Sequence, residues 1–462
     1  MGDGVSMGLC RMAAGLRYED LSQSVVDAAS NVLVDAVGTM TAASAISPDI
    51  RPFVELAGAG GGGPCDILGS KLTAPPTMAA FANGALSHAL DFEDTHDPSA
   101  GHPNASLVPA LIALAQSEPE IAGRDLIAAM VAGCEVSCRM AQALLRPLEE
   151  GGWYPPPILA GIGATVGAAR LLRLDEEQMR DAVSLALCQL TMPGQIKHEP
   201  ASTIRSIREA FPAQAAVQAA LLARSGVTGF REPLEGKGGF FALFAGSAFD
   251  ASVLQRPFRS PFAIEELTFK PWPSCRGTHA GIQLSLGYLE AGGDLRRATR
   301  IVIEHDAVQA MLIDPIAEKR APSNVIGAKF SIPFCTALAL QTGWVDLESF
   351  PKMLNDASVL AVASKVEGRE VEVAERGRGV GGAIEIWADR DLLYHAEVAE
   401  PAGSPRQPLP RKEIEGKCME CMRLRREVSQ GELEKALGIL RNIPTSSNAG
   451  HQFAMINSIL TA

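Results

Sequence analysis

Aromatic residues are scarce in this chain, at 5% of 462 positions, and no apolar run approaches a membrane span, which needs about 20 residues. Positive charge is also short: 41 Lys and Arg face 53 Asp and Glu, a formal net charge of −12. That balance argues against nucleic acid or an anionic membrane as partner, because both interactions rest on basic surface. The start, MGDGVSMGLCRMAAGLRYEDL, has no basic segment leading into an apolar one, so secretion is not expected. The nine cysteines stand at 10, 65, 134, 138, 188, 275, 335, 418 and 421. An odd, irregular set inside apolar text reads as reduced thiols of a cytoplasmic protein, not as a disulfide framework. Cys418 and Cys421 form a lone CxxC, read as two helical side chains, and the three-thiolate pattern of an iron–sulfur site is missing.

What is present is ample core. Hydrophobic residues make up 47% and charged residues 20%, and the length points to two domains. Up to about residue 268 the text is helix after helix, rich in Ala and Gly. Helical spacing marks Leu21–Ser44, Pro76–Leu90, Ser106–Gln116, Gly123–Leu145, Pro157–Leu172, Glu176–Leu190 and Phe211–Ala223. Several are apolar on more than one face, as in a buried bundle. The glycine run at 58–63 lacks the Lys-Ser/Thr of a phosphate loop. From 269 to 399 the texture changes. Arg300–His305, Val371–Ala374, Ala383–Ala388 and Leu392–Val398 read as strands around a Gly-rich turn at 377–382, with helices over Ser331–Gln341 and Met353–Val362. The fold expected is mainly α: a large all-helical domain over 1–268, to which 400–462 returns, and a smaller α+β lid over 269–399 inserted before the C-terminal helices. Such an architecture suggests an enzyme with its site in the cleft.

The densest chemistry lies in NGALSHALDFEDTHDPSAGHPNASLVP, residues 83–109, which carries Asp91, Glu93, Asp94, Thr95, His96, Asp97 and His102 between apolar helices. A merely soluble connection needs no histidines. Asp91 follows an apolar helix end, so a partly desolvated carboxylate suited to general-base work is expected there. Thr95 is a hydrogen-bond donor, and His102, before a proline, a proton carrier. Glu93, Asp94 and Asp97 are expected at the surface or in structural duty. A second stretch, FKPWPSCRGTH at 269–279, sets Lys270 and Arg276 beside His279, pairing carboxylate-binding cations with a proton-transfer group. In KHEPASTIRSIREAFPAQ, residues 197–214, Arg205 and Arg208 share one face if helical, and guanidinium forks suit carboxylates. In GGWYPPP, residues 151–157, Tyr154 stands before a helix as a candidate proton donor or a packed aromatic.

Together, NGALSHALDFEDTH…GHPNASLVPAL, KPWPSCRGTH and NVIGAKFSIPF resemble the MmgE/PrpD family, over nearly the whole chain. That resemblance implies a helical main domain with a small α+β lid, a homodimer, and catalysis without metal or organic cofactor next to a carboxylate of a small polyacid. It places Asp91, Thr95, His102 and His279 among residues lining the family's site, with Lys270 and Arg276 in the matching segment. Two departures stand out. Where relatives carry G-[FW]-H-P-T-G, this chain has Tyr154 in the histidine's place. Where they carry T-K-x-L-H-x-G-[KRH]-A-A, it has Arg205 on the lysine, Arg208 on the histidine and Phe211 near a second cation.

The reading is a cofactor-independent lyase, a dehydratase or decarboxylase acting on a small di- or tricarboxylate. Asp91, Thr95, His102, Tyr154 and His279 are its catalytic candidates, and Arg205, Arg208, Lys270 and Arg276 its substrate-binding ones. The alternative is an epimerase using two bases. From other classes come a phosphohydrolase with a metal on His88, Asp91, Asp94 and His96, and a non-catalytic binding protein.

Overall fold

The computed structural model describes residues 4–199, 202–372, 379–425 and 427–461. The fold is mainly α with two small sheets among the described residues, and the chain divides into two compact units. The first comprises residues 1–89, 93–267 and 410–462; the second comprises 90–92 and 268–409.

In the first unit the helices follow from capping and small-residue packing. Gln23–Ile46 starts where the Ser22 side chain accepts the Val25 N–H, and Glu176–Leu187 starts at a reciprocal Asp175/Gln178 box. Gly123–Gln142, Pro155–Leu171, Pro103–Ser117, Pro76–His88 and Ala210–Arg224 pack on one another as the buried bundle. Among the last helices, Arg411–Arg423 packs on Gln23–Ile46, and Cys418 and Cys421 are buried side chains of it. Glycine lets two backbones touch. A Cβ on Gly163 would stand 2.4 Å from the Gly133 carbonyl oxygen, and one on Gly133 would stand 2.7 Å from that of Gly163. The only extended pair here among the described residues is short: β1 (Cys65–Asp66) runs antiparallel to β2 (Thr73–Ala74).

The second unit holds four strands, β3 (Arg300–His305), β4 (Val366–Glu370), β5 (Gly382–Ala388) and β6 (Asp391–Val398). They form one sheet of order β4-β3-β5-β6. β3 is parallel to β4 and antiparallel to β5, and the β3–β4 connection carries helices, as a parallel crossover requires. On one face Ile301, Ile303, Ile384 and Ile386 bury against Phe334 and Phe350. On the other, Arg369 bridges Glu304 at 2.6 Å and Glu385 at 2.5 Å across three strands. Two sequence expectations shift. The strand expected at Val371–Ala374 lies earlier, at Val366–Glu370; residues 373 and 374 fall outside the described residues, as do 377 and 378 of the expected 377–382 turn. An edge strand exposed on most of its length shows no apolar alternation, which is why VEGRE does not look like one. The helix expected over Met353–Val362 is two, Ser349–Met353 and Ala357–Ala363, because the Asp356 side chain caps the second on Ser358 and Val359 N–H groups.

The Gly133–Gly163 contact predicts that Gly163→Ala lowers stability by about 1–3 kcal/mol through overpacking. Gly8→Ala, in a helix with nothing within 4 Å of the new methyl, is expected to be neutral or stabilising by up to ~1 kcal/mol. Thermal unfolding of both variants tests this; equal shifts would sink the backbone-contact account.

Candidate active site

Asp91 is the singular residue of the second unit. It is buried, and its φ of 51° puts a non-glycine residue in the left-handed region. Such a conformation costs on the order of 1–3 kcal/mol and persists only where surroundings impose it. Here two buried lysines do so. Lys270 Nζ donates to Asp91 Oδ1 at 2.6 Å and to the Asp91 carbonyl at 2.9 Å; Lys329 Nζ donates to the Leu90 carbonyl at 2.5 Å. Both ammonium groups are essentially out of solvent, at 0% and 2% exposure. The carboxylate is thus fixed in orientation and opposed by one positive charge.

Beside them in the same unit, Arg276 sends Nη1 to the Ala402 carbonyl at 3.0 Å and Nη2 to the Pro401 carbonyl at 2.9 Å. Its Nη1 also lies 3.3 Å from His279 Nδ1, while His279 Nε2 lies 3.3 Å from the Ser274 carbonyl. The pattern matches a neutral ring protonated on Nε2, an assignment made from the partners. Trp272 meets the ring edge-on at 5.3 Å.

In the first unit Glu93 gathers two histidines. His88 Nδ1 makes a short contact to Glu93 Oε1, and His102 Nδ1 stands 2.7 Å from the same oxygen. The two rings are 4.8 Å apart, edge to face. His88 ends the Pro76–His88 helix, and His102 is the residue just before Pro103–Ser117, so two helix ends hold the pair rigidly. Burial lowers the His88 ring to about 4, reinforced by the nearby Arg208 charge and opposed by Glu93. His102 retains 13% side-chain exposure, so it is the member solvent reaches. Asp94, fully buried, accepts from Asn104 Nδ2 at 2.8 Å. Its pKa is raised to about 8 by burial, with the Asn104 bond opposing and Asp35 and Glu93 adding to the rise. Thr95 Oγ1 donates to Asp97 at 3.0 Å.

The other sequence candidates of this unit lie together around one ring. Tyr154, 8% exposed, precedes the Pro155–Leu171 helix. Arg208 lies over its face at 5.2 Å and Lys197 at 5.6 Å, cation–π contacts. Arg208 is buried, with Nε 3.3 Å from Glu209 Oε1 and Nη1 on the Arg205 carbonyl at 3.1 Å. Arg205 is half-buried and donates to the Ile196 carbonyl at 3.2 Å. The helix holding the arginines is a single turn, Ile204–Ile207. Phe211 is 46% exposed and packs on Phe53 and Phe81.

Of the two duties expected of them, surface or structural, Glu93 and Asp94 have the second: they are buried at 2% and 1%. Charge-rich text hid this because each buried acid is matched by histidine or amide. Sequence reasoning also missed Lys329; a lone lysine inside the apolar NVIGAKFSIPF was the available signal. The closest approach to a metal-ligand set within the first unit is His88, Glu93 and His102. It differs from the set expected from sequence, since Asp94 is bonded by Asn104 and His96 by Ser99. Both Nδ1 atoms lie against one carboxylate oxygen, hydrogen-bonded for His88 and as a close ion-pair contact for His102.

Comparison with known proteins follows the same lines. The model of the MmgE/PrpD N-terminal domain matches residues 8–251, and that of the MmgE/PrpD C-terminal domain matches residues 272–438. A human cis-aconitate decarboxylase is 26% identical over 311 residues, 63% of this chain and 61% of the relative. A cis-aconitate decarboxylase-like protein of Aspergillus oryzae is 24% identical over 486 aligned positions, 99% of this chain and 98% of its own length. A 2-methylcitrate dehydratase of Cupriavidus necator is 28% identical over 423 residues, covering 85% of this chain and 84% of that enzyme.

Asp94 supports a stability prediction. Its pKa is raised in the fold from 3.8 to about 8. Its favourable contribution is therefore complete below pH 3.8 and lost as pH rises through about 8. His88 acts oppositely: lowered from 6.5 to about 4, its contribution is present above 6.5 and lost as pH falls through about 4. Asp94→Asn removes only the first term. The variant's melting temperature minus that of the unaltered protein should rise from acid to mildly alkaline pH and then level off. A difference independent of pH would refute the buried neutral acid.

Proposed function

Since the chain belongs to the MmgE/PrpD family, we propose that it is a lyase that removes water or carbon dioxide from a small di- or tricarboxylic acid by abstracting a proton next to a carboxylate. The observation carrying this reading is Asp91, a buried carboxylate held in a left-handed conformation and fixed by Lys270. Strain and desolvation concentrated on one acid are the mark of a group placed for chemistry. The relatives whose names state a reaction act on cis-aconitate and 2-methylcitrate, so tricarboxylates of that kind are the first substrates to consider.

In this reading Asp91 takes the proton of the C–H bond, and the electron pair moves toward the neighbouring carboxylate as an enolate-like anion. In dehydration His102, backed by Glu93, gives a proton to the departing hydroxyl and water leaves. In decarboxylation the carboxylate departs as carbon dioxide, its electron pair passing to carbon, and two protons go back to the skeleton: the one Asp91 took and one from solvent that replaces the carboxylate. Arg205 and Arg208 anchor substrate carboxylates. Lys270 and Arg276, whose donors meet Asp91 and main-chain carbonyls, hold the base and the His279 segment in place. Thr95 supports the loop through Asp97. No helix among the described residues is long and apolar enough to cross a membrane. The reading includes a homodimer working in the cytoplasm with neither metal nor organic cofactor.

Epimerisation is the second reading, favoured by one observation: the Tyr154 phenol, a group able to carry a proton, lies buried beneath two cations. Solvent deuterium separates the two. An epimerase puts label into recovered substrate without loss of water or carbon dioxide; a lyase yields unsaturated or shortened acid.

The test is a turnover screen of citrate-like and aspartate-like acids with the unaltered protein and Asp91→Asn. Loss of a proton-transfer group should lower kcat by about 10²–10⁴ with far-UV circular dichroism unchanged. Asp91→Asn retaining turnover would overturn the assignment of the base.

A further inference from the structure

Away from these residues, the first unit carries a thiol cluster beside a cavity. Cys138, on the helix Gly123–Gln142, is 1% exposed and lines a cavity of about 300 Å³ together with Arg139, Arg256, Arg259 and Glu266. His96, completely buried, has its Nδ1 on Ser99 Oγ at 2.9 Å. Its other nitrogen, Nε2, has no hydrogen-bond partner among the described residues; it stands 3.9 Å from Glu266, which lines the same cavity as Cys138. Cys134, one turn earlier, faces the Cys138 sulfur. A cysteine, an imidazole and a carboxylate in series are the parts of an activated nucleophile.

We propose that Cys138 is a nucleophilic thiol activated by His96, and that it is the chain's site of covalent modification by small anionic electrophiles entering through the adjoining cavity. Burial by itself would raise the thiol and lower the imidazole. The Cys134 hydrogen bond and the His96 charge draw the thiol down, while Cys138 and Glu266 raise the ring; Glu135 opposes the thiol's shift. The preference for anions follows from the rim. Arg139 is held by Glu135, whereas Arg256 and Arg259 are exposed and form no ion pair among the described residues. The proposal uses only first-unit geometry and stands apart from the lyase reading. His96 closes the turn that leads to His102, its N–H donating to the Gly101 carbonyl at 3.0 Å, so an adduct here loads the loop of the candidate site.

Iodoacetate is the probe. The sulfur lone pair forms the S–C bond as the C–I bond breaks and iodide leaves with its electron pair, the thiol proton having passed to His96. The native protein is treated with limiting iodoacetate, and in parallel with neutral iodoacetamide, at roughly pH 6.5, below the ordinary thiol pKa. Labelling is then read at each cysteine by peptide mass spectrometry. Cys138 should be labelled about tenfold faster than the exposed Cys188. The iodoacetate-to-iodoacetamide rate ratio should also be higher at Cys138. His96→Gln should remove most of the Cys138 advantage. Glu266→Gln, at a position exposed enough to spare the fold, should lower it by a smaller factor. Cys188 labelled ahead of Cys138, or a Cys138 rate unchanged in both variants, overturns the proposal.

Discussion

The buried pair between Lys270 and Asp91 is the constraint from which the rest of the candidate site takes its form. Its two partners are 0% and 1% exposed, and removing one side of such a pair leaves an uncompensated charge costing about 3–5 kcal/mol. Charge pairing alone would be weak support for stability, since apolar replacements of such pairs are often neutral. What the lysines add is geometry. Lys270 binds side chain and main chain of one residue, and Lys329 binds the carbonyl before it. Together they hold Leu90–Phe92 with the second unit while the residues on either side group with the first. The positive φ at Asp91 is where that switch is made.

Within the first unit Glu93 selects the histidines. A single carboxylate oxygen shared by His88 and His102 keeps both rings turned inward, though the two differ in solvent access. Burial holds the His88 ring against protonation, whereas His102 keeps residual exposure to solvent. Environment, not residue type, separates their roles.

Legibility from sequence followed the same physics. Long, capped, Ala-rich helices declared themselves through periodicity, and Gln23–Ile46 and Pro155–Leu171 fall within a few residues of their expected bounds. β3 did likewise, because it is a central strand with apolar residues facing the core. The edge strand β4 did not, since nothing buries most of its side chains. Asp91 and His102 were legible as residue types in an odd place. Their partners were not: a lysine reads as surface and a glutamate beside other acids reads as solvated. Only tertiary contact turns Lys329 and Glu93 inward.

The same logic explains why the departures at Tyr154 and Arg208 are mutually consistent. A histidine at 154 beneath two cations would be held neutral by like charge, whereas a phenol presents an electron-rich face that attracts them. Arg208 lies over the Tyr154 ring and is oriented by buried Glu209 and by the Arg205 carbonyl. Burial raises the Glu209 pKa, opposed by Arg208 and by the Ser106 hydroxyl bonded to it. Planarity lets one guanidinium serve both contacts, which a lysine at the same place could not do. The two departures therefore read as one coupled change: the aromatic ring and the fork that lies on it belong together.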